Sequence, residues 1–201
     1  MSAAGTAARA ALLLVDVQRD FVSSSLEELG EGYPERVARL LAVARSAGLH
    51  VVHVHSLFEP DGSDWMRRYR GRGRIPCVRG TEGAEVLPEA RPVEGEPVVV
   101  KQSFDAFQRS DLHPGLRAAD VEVVLVAGLV TSTCVLFTAT SAMQLGYLVG
   151  VVEDAAADVP AVHERVLRQY PFVFDRVTVE SALTWVDGAL GRSARLGSLR
   201  A

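Results

Sequence analysis

The stretch VEVVLVAGLVTSTCVLFTATSAMQLGYLV, residues 121–149, decides the fold. Its aliphatic run, Val121 to Val126, stops at Ala127-Gly128. After LVTST a lone cysteine, Cys134, opens a segment of helical composition that closes at Gly146. An aliphatic run without polar alternation suits a strand covered on both faces, as in parallel sheets whose crossovers are helices. The corner then sets a thiol at the carboxyl end of a strand, where open α/β sheets place their sites.

The same alternation extends outward in both directions. ALLLVDV (11–17) reads as a buried strand ending in the carboxylate of Asp16. YPERVARLLAVARSAG (33–48) carries Val37, Leu40, Leu41 and Ala44 at helical spacing, with Gly48 as the stop. LHVVHVHS (49–56) is a second strand, and EPVVVK (96–101) a third that ends in Lys101. LHPGLRAAD (112–120) is a short helix, 121–128 the fourth strand and 133–146 a helix. YLVGVVED (147–154), PAVHERVLRQYP (160–171) and DRVTVE (175–180) complete the series as strand, helix and strand. The expectation is an α/β fold: a three-layer α-β-α sandwich on a six-stranded, mostly parallel sheet. One domain is expected over residues 1–201, with its core at about 10–180. The segment 57–95 is rich in Gly, Pro and Arg and too long for a structureless connection, so it is expected to shape a binding site.

Composition narrows the classes. With 48% hydrophobic and 23% charged residues, the chain has the balance of a soluble globular protein. A net charge of −4 argues against a nucleic-acid or anionic-membrane binder, both of which rely on basic surfaces. No apolar run approaches the roughly 20 residues needed to span a bilayer. Residues 1–8 read as a loose start without the basic and apolar regions of a signal peptide, so a cytoplasmic location is expected. Two cysteines, Cys77 and Cys134, are too few for a disulfide framework.

Asp16, Lys101 and the corner before Cys134 all fall at strand ends. Singly, each has an ordinary account: a loop cap, a solvated lysine, a small core residue. Together they are three residues delivered by three strands to one edge of a sheet. A thiol attacks as thiolate, and helix N-termini and nearby cations favour that form. A carboxylate in reach takes the thiol proton and later delivers it to a leaving group. A lysine beside that carboxylate keeps it ionised, and GLVTST supplies backbone amides of the kind an oxyanion hole requires.

The motifs LLLVDVQRDF, VVVKQSFDAF and VAGLVTSTCVLFTATSAMQLGY resemble, in the same order, those of the isochorismatase-like cysteine hydrolases. That superfamily includes nicotinamidases, N-carbamoylsarcosine amidase and ureidoacrylate amidases. The resemblance runs from about residue 10 to 180. It implies an Asp16–Lys101–Cys134 triad, a cis peptide between Val130 and Thr131, and an oxyanion hole from the amides of Thr131 and Cys134. It also implies hydrolysis of a C–N bond of a small amide, ureide or lactam through a thioester, by a homo-oligomer (dimer or tetramer). Gln18 and Phe21 match positions near the triad; with Trp65 of the long segment they are expected to touch substrate.

Nicotinamidases of the family bind a metal through a DxH…H arrangement after the second strand. The corresponding HVHSLFEPDGSDW has no DxH, and His53 and His55 read as hydrogen-bonded strand histidines. No metal and no cofactor are expected. Arg67, Arg68, Arg70, Arg72 and Arg74 form a basic cluster that fits a solvated loop face or a carboxylate site. Cys77 is expected in a loop away from the triad, and His113 and His163 as surface or helix-packing residues. Vinyl ether cleavage on the same fold, and a non-catalytic protein retaining it, are the rival functions. No GxGxxG follows the first strand, which weighs against a dinucleotide-binding protein.

Overall fold

Strands β1 (Ala10–Val15), β2 (His50–Ser56), β3 (Val98–Lys101), β4 (Val123–Leu129), β5 (Leu148–Ala157) and β6 (Asp175–Val177) form one sheet in the order β3-β2-β1-β4-β5-β6. Every neighbouring pair is parallel. The computed structural model describes residues 9–23 and 32–198; the loose start expected at residues 1–8 lies outside them. The helices are α1 (Arg19–Ser23), α2 (Tyr33–Ala47), α3 (Arg67–Arg70), α4 (Leu112–Ala118), α5 (Leu136–Gln144), α6 (Pro160–Gln169) and α7 (Ala182–Ser198).

Side-chain alternation explains why β1 is apolar throughout. Ala10, Leu12 and Leu14 join one core with Leu125 and Ala127 of β4, under α2 and α7. Ala11, Leu13 and Val15 join a second core with Val124 and Val126, under α4 and α5. With helices on both faces, neither side of the strand tolerates a polar residue. On α2 the periodic residues Val37, Leu40, Leu41 and Ala44 are all buried. Gly48 closes that helix at φ 76°, with the Leu49 amide returning to Ala44 O at 3.0 Å.

Three elements depart from the sequence expectation. The core does not end near 180, because α7 adds Ala182, Val186, Ala189 and Leu190 to the first face. Those residues keep helical spacing, but Gly188, Gly191 and Gly197 weaken the helical signal. The helix expected at 133–146 is a π-turn over Thr131–Val135 followed by α5. Strand β5 continues to Ala157 because its register against β4 shifts between Val126 and Gly128, beyond the expected end at 154.

The segment 57–95 is folded back over the carboxyl end of β1. The Arg19 amide donates to Glu85 O at 2.9 Å and the Leu87 amide to Val17 O at 3.1 Å. Isolated bridges pair Gln18 with Val86 and Phe58 with Val78. Among the described residues no helix is long and apolar enough to cross a membrane.

Candidate active site

Sheet register brings the three strand-end residues together. Ser56 of β2 pairs with Lys101 of β3, Val15 of β1 pairs with Val54 and with Gly128 of β4, and Asp16 is the next residue of the chain. The chain moves from β1 outward to β2 and β3, then crosses back to place β4 on the other side of β1. That reversal lies between β1 and β4, the position at which open α/β sheets form a crevice. Gly128 allows the close approach there. A Cβ on it would stand 1.9 Å from Val15 O, and its φ is +113°.

At this edge the Lys101 ammonium donates to Asp16 Oδ2 at 2.7 Å, Ser56 Oγ at 2.8 Å and Ser103 O at 2.9 Å. Cys134 Sγ is a fourth, longer acceptor at 3.5 Å, so four acceptors share the ammonium's three protons. Asp16 Oδ1 accepts the Ser56 amide at 2.8 Å. Asp16, Lys101 and Cys134 are all buried. Burial pulls the lysine toward neutrality, but the Asp16 charge and Cys134 outweigh it and hold the ammonium above its usual range. Burial, reinforced by the Asp16 charge, pushes the Cys134 thiol up, and Lys101 offsets only part of this. The thiolate-favouring effect expected of the helix start is therefore reversed at rest: the thiol is held protonated beside a carboxylate.

Cys134 sits in the π-turn, whose Val130 carbonyl accepts the amides of Thr133 (3.1 Å) and Val135 (3.3 Å) and passes over that of Cys134. The turn is braced from behind. Thr131 Oγ1 and His163 Nδ1 are 2.8 Å apart, and Asp158 Oδ2 accepts the Ser132 amide at 2.8 Å. His163, expected to be a surface or packing residue, thus fastens α6 to the turn that carries Cys134. The cis peptide is Leu129–Val130, one residue before the expected Val130–Thr131. Leu129 is the last β4 residue paired to β5, so the change of direction falls on the first peptide to leave the sheet.

A cavity of about 280 Å³ opens above Cys134. Phe21, Phe58, Met66, Tyr69, Ile75, Pro76, Phe104 and Val130 give it an apolar wall, and Ser56, Ser103, Thr133 and Cys134 supply its polar groups. Phe21 lines it as expected. Gln18 does not: it is buried, its Nε2 donates to Ser56 O (2.8 Å) and Ala84 O (2.9 Å), and its Oε1 accepts the Ser56 amide (2.9 Å). A side chain whose polar atoms are all spent on backbone holds the site together rather than meeting a ligand. Trp65 is also displaced from the expected wall, because its indole N–H donates to Glu59 O at 2.7 Å and its ring lies against Gly62. Its neighbour Met66 lines the cavity instead. Thr131, buried against His163, is not part of the lining either.

Cys77 lies nearer than expected. It is buried, and the charges of Asp16 and Asp20 add to burial in raising its thiol. It is not part of the cavity lining, to which its chain neighbours Ile75 and Pro76 belong. Among the described residues no group of three or more His, Cys, Asp or Glu side chains is disposed to hold a metal ion. On β2, His53 Nε2 is engaged by Glu96 Oε2 at 2.8 Å, so the two histidines do not form a free donor pair.

Known proteins share this chain's fold and part of its sequence. A family model described as the isochorismatase domain matches residues 10–173. This chain belongs to the isochorismatase family. It is 32% identical over 161 residues to the maleamate amidohydrolase of Pseudomonas putida, covering 77% of this chain and 75% of that protein. It is 32% identical over 149 residues to the isochorismatase family protein YddQ of Bacillus subtilis, covering 73% and 77%. A solved isochorismatase family protein from Desulfovibrio vulgaris superposes with a TM-score of 0.80 at 34% identity, covering 87% of this chain and 96% of that one. Within the isochorismatase family fold, then, the sequence motifs and the buried Asp16–Lys101–Cys134 cluster occupy one crevice.

Proposed function

We propose that this chain is a cysteine amidohydrolase that cleaves the C–N bond of a small, largely apolar amide. The observation that carries the reading is the buried Asp16–Lys101 ion pair set against Cys134 Sγ beneath an apolar cavity. Similarity to a maleamate amidohydrolase supports the bond class.

In this mechanism Asp16 takes the Cys134 proton as sulfur attacks the amide carbonyl carbon. Lys101 remains a fixed cation throughout, donating to Asp16 Oδ2 and, at 3.5 Å, to Cys134 Sγ, so its charge steadies both the carboxylate and the forming thiolate. The carbonyl π pair moves onto oxygen, and the oxyanion is received by the backbone amides of Cys134 and Val130. Val130 is assigned in place of Thr131 because it lines the cavity and Thr131 does not. The oxyanion then collapses, the C–N bond breaks, and Asp16 returns its proton to the departing nitrogen. That leaves a thioester on Cys134. A water deprotonated by Asp16 adds to the thioester, and the carboxylic acid departs as the thiol is re-formed. The cavity's apolar wall holds the acyl part and keeps bulk water from competing with the leaving group.

Incubation of the protein with small apolar amides should release ammonia, and rapid acid quench should trap an acyl adduct on the peptide containing Cys134. Cys134→Ala should abolish both while leaving the fold intact. Turnover that persists in Cys134→Ala would refute the mechanism. Release of a ketone or aldehyde from a vinyl ether without an adduct would assign ether cleavage instead.

A further inference from the structure

The Asp16 and Lys101 side chains have no exposure to solvent, and neither is part of the cavity lining. A proton that Asp16 takes from Cys134 therefore needs a route to a nitrogen that departs inside the cavity. Four residues bring polar side chains to that space: Ser56, Ser103, Thr133 and Cys134. Ser103 Oγ donates to Asp105 O at 2.8 Å, so toward the cavity it can only accept. Thr133 Oγ1 is directed at Cys134 Sγ, 4.0 Å away. Ser56 differs. Its Oγ accepts a proton of the Lys101 ammonium at 2.8 Å, which turns its own O–H elsewhere, and among the described residues that O–H meets no acceptor. The backbone beneath it is clamped: the Ser56 amide is bound by Asp16 Oδ1 and Gln18 Oε1, and its carbonyl by Gln18 Nε2. Sheet order decides which substrate atom the hydroxyl meets. Ser56 ends β2 and Ser103 follows β3, on one side of β1, whereas the turn of Cys134 follows β4 on the other. An oxyanion received by the amides of that turn leaves the amide nitrogen facing Ser56 and Ser103.

We propose that Ser56 is the catalytic acid for the leaving group, giving its proton to the departing nitrogen while Ser103 Oγ accepts an N–H of the same nitrogen. As the C–N bond breaks, its electron pair stays on nitrogen and takes the Ser56 proton. The Ser56 oxygen takes a proton from Lys101, and Lys101 takes the one stored on Asp16, 2.7 Å away. The ammonium hands on one proton as it receives another, so its charge does not change. Net, one proton passes from sulfur to nitrogen, and Asp16, Lys101 and Ser56 end as they began. A planar amide nitrogen has no basic lone pair, whereas the nitrogen of the tetrahedral adduct has one. The bond from Ser56 is thus made only on the way to cleavage, and it acts on rate rather than on affinity. The assignment rests on the amidohydrolase reading for the chemistry at Cys134, and it can fail while that reading stands.

The test uses a matched pair, benzamide and S-methyl thiobenzoate, which give the same benzoyl thioester on Cys134 but differ in the departing atom. Nitrogen must be protonated to leave as ammonia, whereas methanethiol leaves as its thiolate. In Ser56→Ala, kcat/KM for benzoate release should fall about 100-fold with benzamide and less than about threefold with the thioester. Thioester turnover on the same preparation shows that the variant is folded and its Cys134 active. Ser56→Thr, which keeps the hydroxyl, should recover most of the benzamide rate, and Ser56→Gly carries the comparison if Ser56→Ala is insoluble. Equal losses with the two substrates, or no loss with benzamide, overturn the leaving-group role and leave amide hydrolysis standing. Wild-type turnover of the thioester alone overturns it too, because no group then delivers a proton to nitrogen. Wild-type turnover of neither, with no benzoyl adduct on Cys134, overturns the hydrolase reading and the role of Ser56 with it.

Discussion

The Lys101 ammonium and the Asp16 carboxylate are 2.7 Å apart, and neither side chain has any exposure to solvent. Removing one partner leaves the other charge buried without compensation, which costs about 3–5 kcal/mol. Asp16→Leu and Lys101→Met should each lose roughly that much in urea unfolding and all amidase activity. The double variant should recover most of the stability and none of the activity. If the double variant is no more stable than the single ones, the pair is not the dominant interaction at this edge.

Burial keeps the Cys134 thiol protonated at rest, so its reactivity should depend on the neighbouring base rather than on solution pH. A small electrophile that fits the cavity should alkylate Cys134 and spare Cys77, which is buried and not part of the lining. Asp16→Asn should slow alkylation of Cys134 by about 100-fold. Peptide mapping by mass spectrometry separates the two thiols. Equal labelling of Cys77 would contradict the assigned wall.

Gln18 spends both ends of its amide on the backbone of Ser56, whose hydroxyl in turn holds Lys101. A substrate-binding glutamine, on replacement, raises KM and spares kcat. A positioning glutamine does the opposite. Gln18→Leu should lose about 2 kcal/mol of stability from unsatisfied buried backbone groups and should lower kcat with little change in KM. Steady-state kinetics and a denaturation curve on the same preparation decide the matter.

The sheet and the edge that carries the candidate site were legible in the sequence because β1 and β4 are apolar on both faces and lead into Asp16 and the turn of Cys134, while β3 ends in Lys101. Asp16, Lys101 and Cys134 needed only the rule that parallel strands share a carboxyl end. The cavity wall was less legible. Met66, Tyr69, Ile75 and Pro76 come from a segment whose path is set by single contacts, such as Arg19 N to Glu85 O, rather than by periodicity. Trp65 and Met66 are adjacent in the chain, and only the indole's bond to Glu59 O decides which of them meets the cavity. Gln18 lies beside the cavity but spends its amide on backbone, because proximity along a motif does not reveal which backbone groups need a partner. The π-turn was invisible for the same reason: its brace to His163 joins residues 32 positions apart.

Gly128 offers a sharp test of the crevice. With φ at +113° and Val15 O only 1.9 Å from the site of a Cβ, Gly128→Ala must separate β1 from β4 at the point where Asp16 meets Cys134. Insoluble protein, or a loss above about 3 kcal/mol, is expected. Gly48→Ala is the control: its φ is +76° but nothing lies within 4 Å, so the cost should stay near 1 kcal/mol. Similar melting temperatures for the two variants would mean that the close approach is not needed.

Stability should fall in two stages on acidification. Burial, with His53 beside it, lowers the His55 pKa to about 4, while the unfolded chain titrates near the ordinary value of about 6.5. The unfolded state therefore binds more protons between those limits. The contribution is complete above about pH 6.5 and is lost as pH falls toward 4, amounting to on the order of 3 kcal/mol. Burial shifts His53 and His163 in the same direction. Burial alone would raise Glu96, but its bonds to Arg45, the Val93 amide and His53 outweigh that and hold it at about 2. Its contribution is complete above about pH 4.5 and is lost as pH falls toward 2. Urea unfolding between pH 7.5 and 3, run on wild type and His55→Gln, should show the upper stage reduced in the variant and the lower stage unchanged. A wild-type stability that is flat from about pH 6.5 to 4.5 would show that His55 is not held neutral by its surroundings.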